Sequence, residues 1–374
     1  MRARDLGIEV GGGVPGPANA ITDVAGVRVG HTTLIEGEGP LVVGRGPVRT
    51  GVTVILPSED VAEQPLFAGC HRLNGNGELT GLEWIRESGM LTTPIALTNT
   101  HSVGIVRDAL VAADVARREA GYSFWSLPVV GETWDGALND INGMHVRAEH
   151  VRQALDAASD GSVPEGGVGG GTGMICHGFK GGIGTASRVV DRAAGGYTVG
   201  VLVQANHGRR ERLRVNGVAV GEAVPAAEVP LPEVPDMPDE PSSIIVVIAA
   251  DAPLLPNQCA RLAQRAGLGI ARTGGVGEHS SGDLFVAFST GNGALGPAKY
   301  REGGSEVTIP VRMLSNTYIN HLFDAVVDAT EEAILNALLA ADTMTGRDGL
   351  TAHRLEPDRL VEIMEAAGRR TTSG

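Results

Sequence analysis

The sequence predicts an α/β fold, and two observations carry that prediction. Short apolar runs of strand length alternate along the whole chain with longer stretches whose apolar residues recur at helical spacing. Several of the strand-like runs are apolar on both faces, as strands buried inside a layered protein are. Glycine adds a third feature: 54 of the 374 residues are Gly, where an average chain carries roughly 7%. That excess points to many tight turns and close backbone approaches.

Taken in order, strands are expected at 51–57, 94–98, 197–203, 213–220, 244–249 and 284–288. Between them, Val106, Leu110, Val111 and Val115 form one stripe of a helix over 103–120. A second helix is expected over 257–265. A third, over 319–341, aligns Leu322, Val326, Ala329, Ala333 and Ala337 and reads as a packed core helix. No internal repeat is visible.

Composition excludes several classes of function. Thirty Lys+Arg stand against 44 Asp+Glu, for a formal charge of -14, with no basic block to grip nucleic acid or an anionic membrane. No segment reaches the ~18 uninterrupted apolar residues of a membrane helix, and the first residues lack a signal-peptide pattern. Cys70, Cys176 and Cys259 are far apart and without metal-ligand spacing, so they read as reduced thiols of a cytoplasmic protein. The histidines show no H-E-x-x-H grouping, and neither a metal nor a cofactor is expected.

One segment breaks the α/β rhythm. From Pro225 to Pro241 there are six prolines, five acidic residues and no basic one. Proline removes ladder donors and like charges repel, so residues 224–241 are expected to form a flexible, exposed linker. The chain then passes directly from Ser242 and Ser243 into the most strand-like run it has, Ile244-Ile-Val-Val-Ile-Ala249. A serine at the head of a buried strand is held rigidly. If the bond before it is cut, it gains an α-amine whose ordinary pKa of about 7.7–8.0 suits a general base. One residue then supplies nucleophile and base.

Two glycine-rich segments lie around this junction. In the run from Thr273 to Phe288, Ser281 and Asp283 are two apart and share a face once strand geometry begins. A carboxylate behind a hydroxyl can orient a neighbouring nucleophile, although Ser-Gly-Asp is also ordinary turn chemistry. The run Gly166 to Met174 lacks the Lys-Ser/Thr ending of a phosphate loop and follows no clear strand. It reads as close backbone packing or a substrate-cradling loop.

Together these segments resemble the L-aminopeptidase/D-esterase and β-aminopeptidase family of serine N-terminal-nucleophile hydrolases (peptidase family P1). Blocks that carry the resemblance include 19–30, 49–57, 73–78, 97–104, Gly131-Glu-Thr-Trp-Asp-Gly136, 139–142, 169–174, 184–188, 202–206, 243–255 and 345–349. The resemblance implies a four-layer αββα sandwich, of the type shared with ornithine acetyltransferases. It implies one peptidase domain over 1–374 that cleaves itself between Ser242 and Ser243, giving chains 1–242 and 243–374 that stay associated. Ser243 matches the nucleophile, and Ser281 and Asp283 match its Ser-Gly-acid partner pair. By the same resemblance Asn206 stabilises the oxyanion and Glu132, with Trp134 beside it, receives the free amine of a peptide, amide or ester. A homotetramer of processed protomers is implied as well.

Two positions depart from the family pattern. Ser242 stands where glycine is usual, which raises the prospect of slower or absent self-cleavage. Trp134 stands where a tyrosine is expected. The competing readings are an acyltransferase of the ornithine acetyltransferase type and an unprocessed relative that serves as a binding protein.

Overall fold

A computed structural model describes residues 1–118, 124–234, 242–293, 295–296 and 307–369. The strands of its two main sheets, numbered in chain order, are β1 Arg28–Glu36, β2 Val48–Leu56, β3 Leu66–Arg72, β4 Met90–Leu91, β5 Ile95–Asn99, β6 Val129–Thr133, β7 Gly182–Val189, β8 Thr198–Asn206, β9 Ser242–Ala250 and β10 Ser281–Ser289. The helices of more than one turn are α1 Leu82–Ser88, α2 Val103–Arg117, α3 Ala148–Asp156, α4 Pro256–Arg272, α5 Ile319–Leu339 and α6 Pro357–Ala366.

One sheet runs β1-β2-β5-β6 and the other β4-β3-β10-β9-β8-β7. Parallel pairing occurs once in each, β5 with β6 and β9 with β10. Each parallel pair brackets a helix, α2 and α4 respectively, because parallel neighbours need a long crossover. The strand pair at the centre of the larger sheet is therefore β9–α4–β10.

Three apolar clusters show how the layers stack. Val52, Val54, Ala96 and Val130 pack against α2 and α3 on the outside of the smaller sheet. Ile244, Val246, Ile248, Phe285 and Ala287 pack against α4 and α5 on the outside of the larger one. Between the sheets, Ile55, Ile95, Leu97 and Val129 meet Leu202, Ile245, Val247, Val286 and Phe288. The order is helix, sheet, sheet, helix: the four-layer αββα sandwich. β9 contributes alternate residues to two cores, which explains why its sequence is apolar throughout.

Local chemistry explains where the elements differ from expectation. Residues 213–220 do not form a strand. Asn216 and Gly217 both have positive φ (48° and 80°), so the chain reverses there and only an isolated bridge joins Val215 to Val218. Helix α4 runs to Arg272 rather than ending at 265. In that extension Gly269 lets α4 approach α5: a Cβ there would lie 2.6 Å from Thr330 Cβ.

Of the 224–241 linker, residues 235–241 lie outside the described residues; residues 224–234 are mostly exposed and are tied to the body at a few points. Val224 is buried, the carbonyls of Val224 and Val229 accept from the Arg210 guanidinium, and Glu228 pairs with Arg359 at 3.0 Å. The long helix α5 is buried on nearly every side. Its interior Glu332 is tolerated because Arg188, equally buried, reaches it at 2.6 Å and Arg4 at 3.0 Å.

Candidate active site

Ser243 is the second residue of β9, only 3% exposed, and its side chain lies on the face that looks toward the other sheet, as Ile245 and Val247 do. Antiparallel pairing of β8 with β9 sets Asn206 directly opposite Ser243 on the same face. The Asn206 amide is fixed at both ends: Nδ2 donates to the Trp134 carbonyl at 3.0 Å, and Oδ1 accepts from the Ile175 N–H at 2.8 Å. One Nδ2 hydrogen is left over to point elsewhere. The Gly282 N–H donates to Ser243 Oγ at 3.3 Å.

Ser281 and Asp283 occupy the opposite face of β10, the one that packs on helices, because Leu284 and Val286 take the inter-sheet face. Ser281 Oγ donates to Asp283 Oδ1 at 2.6 Å, and Ser242 Oγ donates to Ser281 Oγ at 3.1 Å. The register pairs Ser242 with Ser281 and Ser243 with Gly282. The Ser281–Asp283 pair thus touches the junction through Ser242 and not through the Ser243 hydroxyl.

Burial pushes the Asp283 carboxyl up to about 6, although bonds from Ser281, the Ile244 backbone and Asn74 pull the other way. Asn74 also accepts the Asp283 N–H at 2.6 Å. Ser242 itself lies in regular strand, with none of the positive φ that makes glycine necessary. The expectation of backbone strain at this position has no counterpart in its geometry.

Glu132, at the end of β6, is 2% exposed and accepts from the Glu78 N–H at 2.9 Å and from the Thr100 hydroxyl. Burial raises its pKa. Among the described residues it has no ion-pair partner, so a carboxyl built into the interior is left without a cation. Gly77 joins this acid to the junction: a Cβ there would lie 3.0 Å from Glu132 Oε1 and 3.1 Å from Gly282 Cα. Trp134 is half-buried and contributes its carbonyl to Asn206, while its indole folds over Gly136. Beside Gly77 opens a cleft of about 380 Å³, walled by Leu79, Trp84, Leu127 and Leu284.

The structure therefore gathers Ser242, Ser243, Ser281, Asp283 and Asn206 at one end of the larger sheet, with Glu132 reaching it from the smaller. Asn74, Glu78 and Thr100 also bond to this group. They fall in the blocks 73–78 and 97–104, which carried the resemblance without being given roles. The Gly166–Met174 run makes a single tight turn, Gly169–Gly171, buried between the sheets. Gly169 and Gly170 bond there to the hydroxyls of Thr33 and Thr53.

The sequence model of Peptidase family S58 matches residues 19–352. The beta-peptidyl aminopeptidase BapA of Sphingosinicella microcystinivorans is 50% identical over 97% of this chain and 92% of its own length. A solved Burkholderia sp. beta-aminopeptidase superposes with a TM-score of 0.91 at 56% identity, covering 99% of this chain and 100% of that one. The L-aminopeptidase D-Ala-esterase/amidase of Ochrobactrum anthropi, described as a variant of the Ntn hydrolase fold, superposes with a TM-score of 0.87 at 46% identity over 98% and 99%.

Proposed function

The chain belongs to peptidase family S58, and from that premise we propose that it cleaves itself before Ser243 and then removes N-terminal residues from small peptides, amides and esters. It is a serine aminopeptidase with an N-terminal nucleophile. The acyltransferase and unprocessed-binding-protein readings are not favoured, since the relatives above are aminopeptidases. The observation that carries the assignment to this site is the pairing of Ser243 with Asn206 across β8 and β9.

In self-cleavage, Ser243 Oγ attacks the carbonyl carbon of Ser242, the C–N bond breaks, and the acyl group passes to oxygen. Water then hydrolyses that ester, leaving Ser243 with a free α-amine and Ser242 with a carboxylate. In turnover the α-amine takes the Oγ proton as Oγ adds to the substrate carbonyl. The Asn206 amide meets the charge that develops on the carbonyl oxygen. The leaving amine departs with the proton, and water releases the acyl group. Ser281 and Asp283 hold the end of β9, and Glu132 receives the substrate ammonium in place of the cation it lacks.

The cleft beside Gly77 is wide enough for a substrate side chain. Leu79, Leu82, Leu127 and Leu284 give it an apolar wall that supports acyl groups with hydrocarbon substituents, and Arg72, Glu83 and Arg86 line it too. N-terminal β-amino acids are included, because two relatives at 50% and 56% identity are named for them. We further propose a homotetramer of processed protomers in the cytoplasm. The described residues contain no helix long and apolar enough to cross a membrane, and the three cysteines are unpaired.

Release of p-nitroaniline from α- and β-aminoacyl anilides tests the reading. Turnover of such an anilide is expected, and its loss in Ser243→Ala. No turnover of either class by the wild-type protein contradicts it.

A further inference from the structure

Among the described residues, one group of side chains outside this site has the spacing of a metal centre: Cys176, His177 and His207. One donor atom from each lies within 4.8 Å of the others, and all three residues are buried. The sequence hides the group, because Cys176 and His177 are separated from His207 by thirty residues. Folding joins them: the Ile175–Cys176 and Phe179–Lys180 ribbon turns at His177, whose φ is 49°, and lays it beside the end of β8. The His177 N–H bonds to the His207 carbonyl at 2.7 Å and locks that approach.

The imidazoles are prepared for a ligand that the polypeptide does not supply. His177 Nδ1 donates to the Arg209 carbonyl at 3.0 Å, which leaves Nε2 with a free lone pair. A carbonyl that accepts from the other ring nitrogen in this way orients metal-bound histidines. His177 Nε2 is buried and without a hydrogen-bond partner, and such an orphan needs a physical reason. His207 turns its Nδ1 toward the same thiol. Cys176 Sγ lies 3.7 Å from His207 Nδ1. Two donors sharing one ion at ~2.3 Å and ~2.0 Å in tetrahedral directions stand about 3.5 Å apart.

We propose that Cys176, His177 and His207 bind one soft, thiolate-preferring d10 metal ion, Cu+ or Zn2+, in the larger sheet's outer core. Binding releases the Cys176 thiol proton to solvent and forms one metal–sulfur and two metal–nitrogen bonds. Charge favours the monovalent ion. Arg210, bonded to the His177 carbonyl, already places a cation beside the cluster. Cu+ with one thiolate adds no net charge there, whereas Zn2+ adds one. Thiolate and imidazole ligands suit either ion. The site adjoins the proposed catalytic group through the chain, since His207 follows Asn206. It does not depend on the aminopeptidase reading.

The full-length protein, stripped with a chelator and kept anaerobic, is titrated with Cu+ and in parallel with Zn2+. Metal retained after desalting is counted per chain. One equivalent is expected, with an X-ray absorption shell of one sulfur and two imidazole nitrogens, and the two arms identify which ion is held. Cys176→Ala and His177→Gln should each lose the retained equivalent, while Cys70→Ala keeps it. Retention of neither ion overturns the proposal, as does a shell without sulfur or retention by folded Cys176→Ala. If the variants do not fold, the absorption shell of the wild-type protein decides alone.

Discussion

Ser242 Oγ donates to Ser281 Oγ at 3.1 Å, and Ser281 in turn donates to Asp283. In the uncleaved chain the Ser281–Asp283 pair is therefore engaged by the residue that precedes the proposed scissile bond. Proposed scission frees Ser242 from β9, and the pair then lies next to the new terminus of Ser243.

That relationship yields a prediction for residue 242. Its hydroxyl contributes one neutral hydrogen bond and its backbone is ordinary strand. Ser242→Gly and Ser242→Ala should thus process within about tenfold of wild type, the range of a bond worth ~0.5–1.5 kcal/mol. A time course of fragment formation by gel checks this. Rescue of an otherwise inert chain by Ser242→Gly would show instead that glycine is needed.

Asp283 sets a pH dependence. Its folded pKa, about 6, lies above the ordinary 3.8, so its stabilising contribution is complete below the ordinary value. That contribution is lost as pH rises through about 6. In an uncleavable Ser243→Ala background, adding Asp283→Asn should therefore become progressively less costly between pH 4 and pH 7. The expected change is of the order of 1–3 kcal/mol. Urea unfolding at both pH values reads it, and a cost that grows with pH contradicts the burial account.

Asn206→Ala should lower kcat by about 10²–10³, as removal of one oxyanion donor does. The measurement is steady-state hydrolysis of an aminoacyl anilide by processed enzyme. Near-UV circular dichroism shows whether the Ile175 and Trp134 contacts that Asn206 holds have survived.

Glu132→Gln should cut kcat/KM for free-amine substrates by about 10–100-fold, mainly through KM, since a charge-assisted bond of ~1.5–3 kcal/mol is lost. Because Glu132 has no cation partner among the described residues, the variant should fold normally. Equal losses with an N-acetylated ester, which has no ammonium, would remove Glu132 from that role.

Most of the sandwich was legible because its strands are apolar on both faces and its long helix carries a continuous stripe. Residues 213–220 were misread since Asn216-Gly217, a turn signal, sat inside an apolar run. Helix α4 extends beyond 265 through Gly267 and Gly269, poor helix formers by propensity, because Gly269 serves packing on α5. The junction at Ser243 could be read from chain chemistry, whereas Asn206 and Glu132 came only from resemblance. Nothing local marks a strand-end amide or a buried acid before its neighbours are known. The Cys176–His177–His207 cluster was invisible for the same reason, since its members meet only across the ribbon turn and β8.

The central claim is that the bond before Ser243 breaks by the action of Ser243 itself, and intact mass of the purified protein tests it most directly. Wild type should give two masses, those of residues 1–242 and 243–374, while Ser243→Ala gives the single mass of the full chain. A wild-type protein that remains one 374-residue chain, or a Ser243→Ala protein cut at the same bond, contradicts the account.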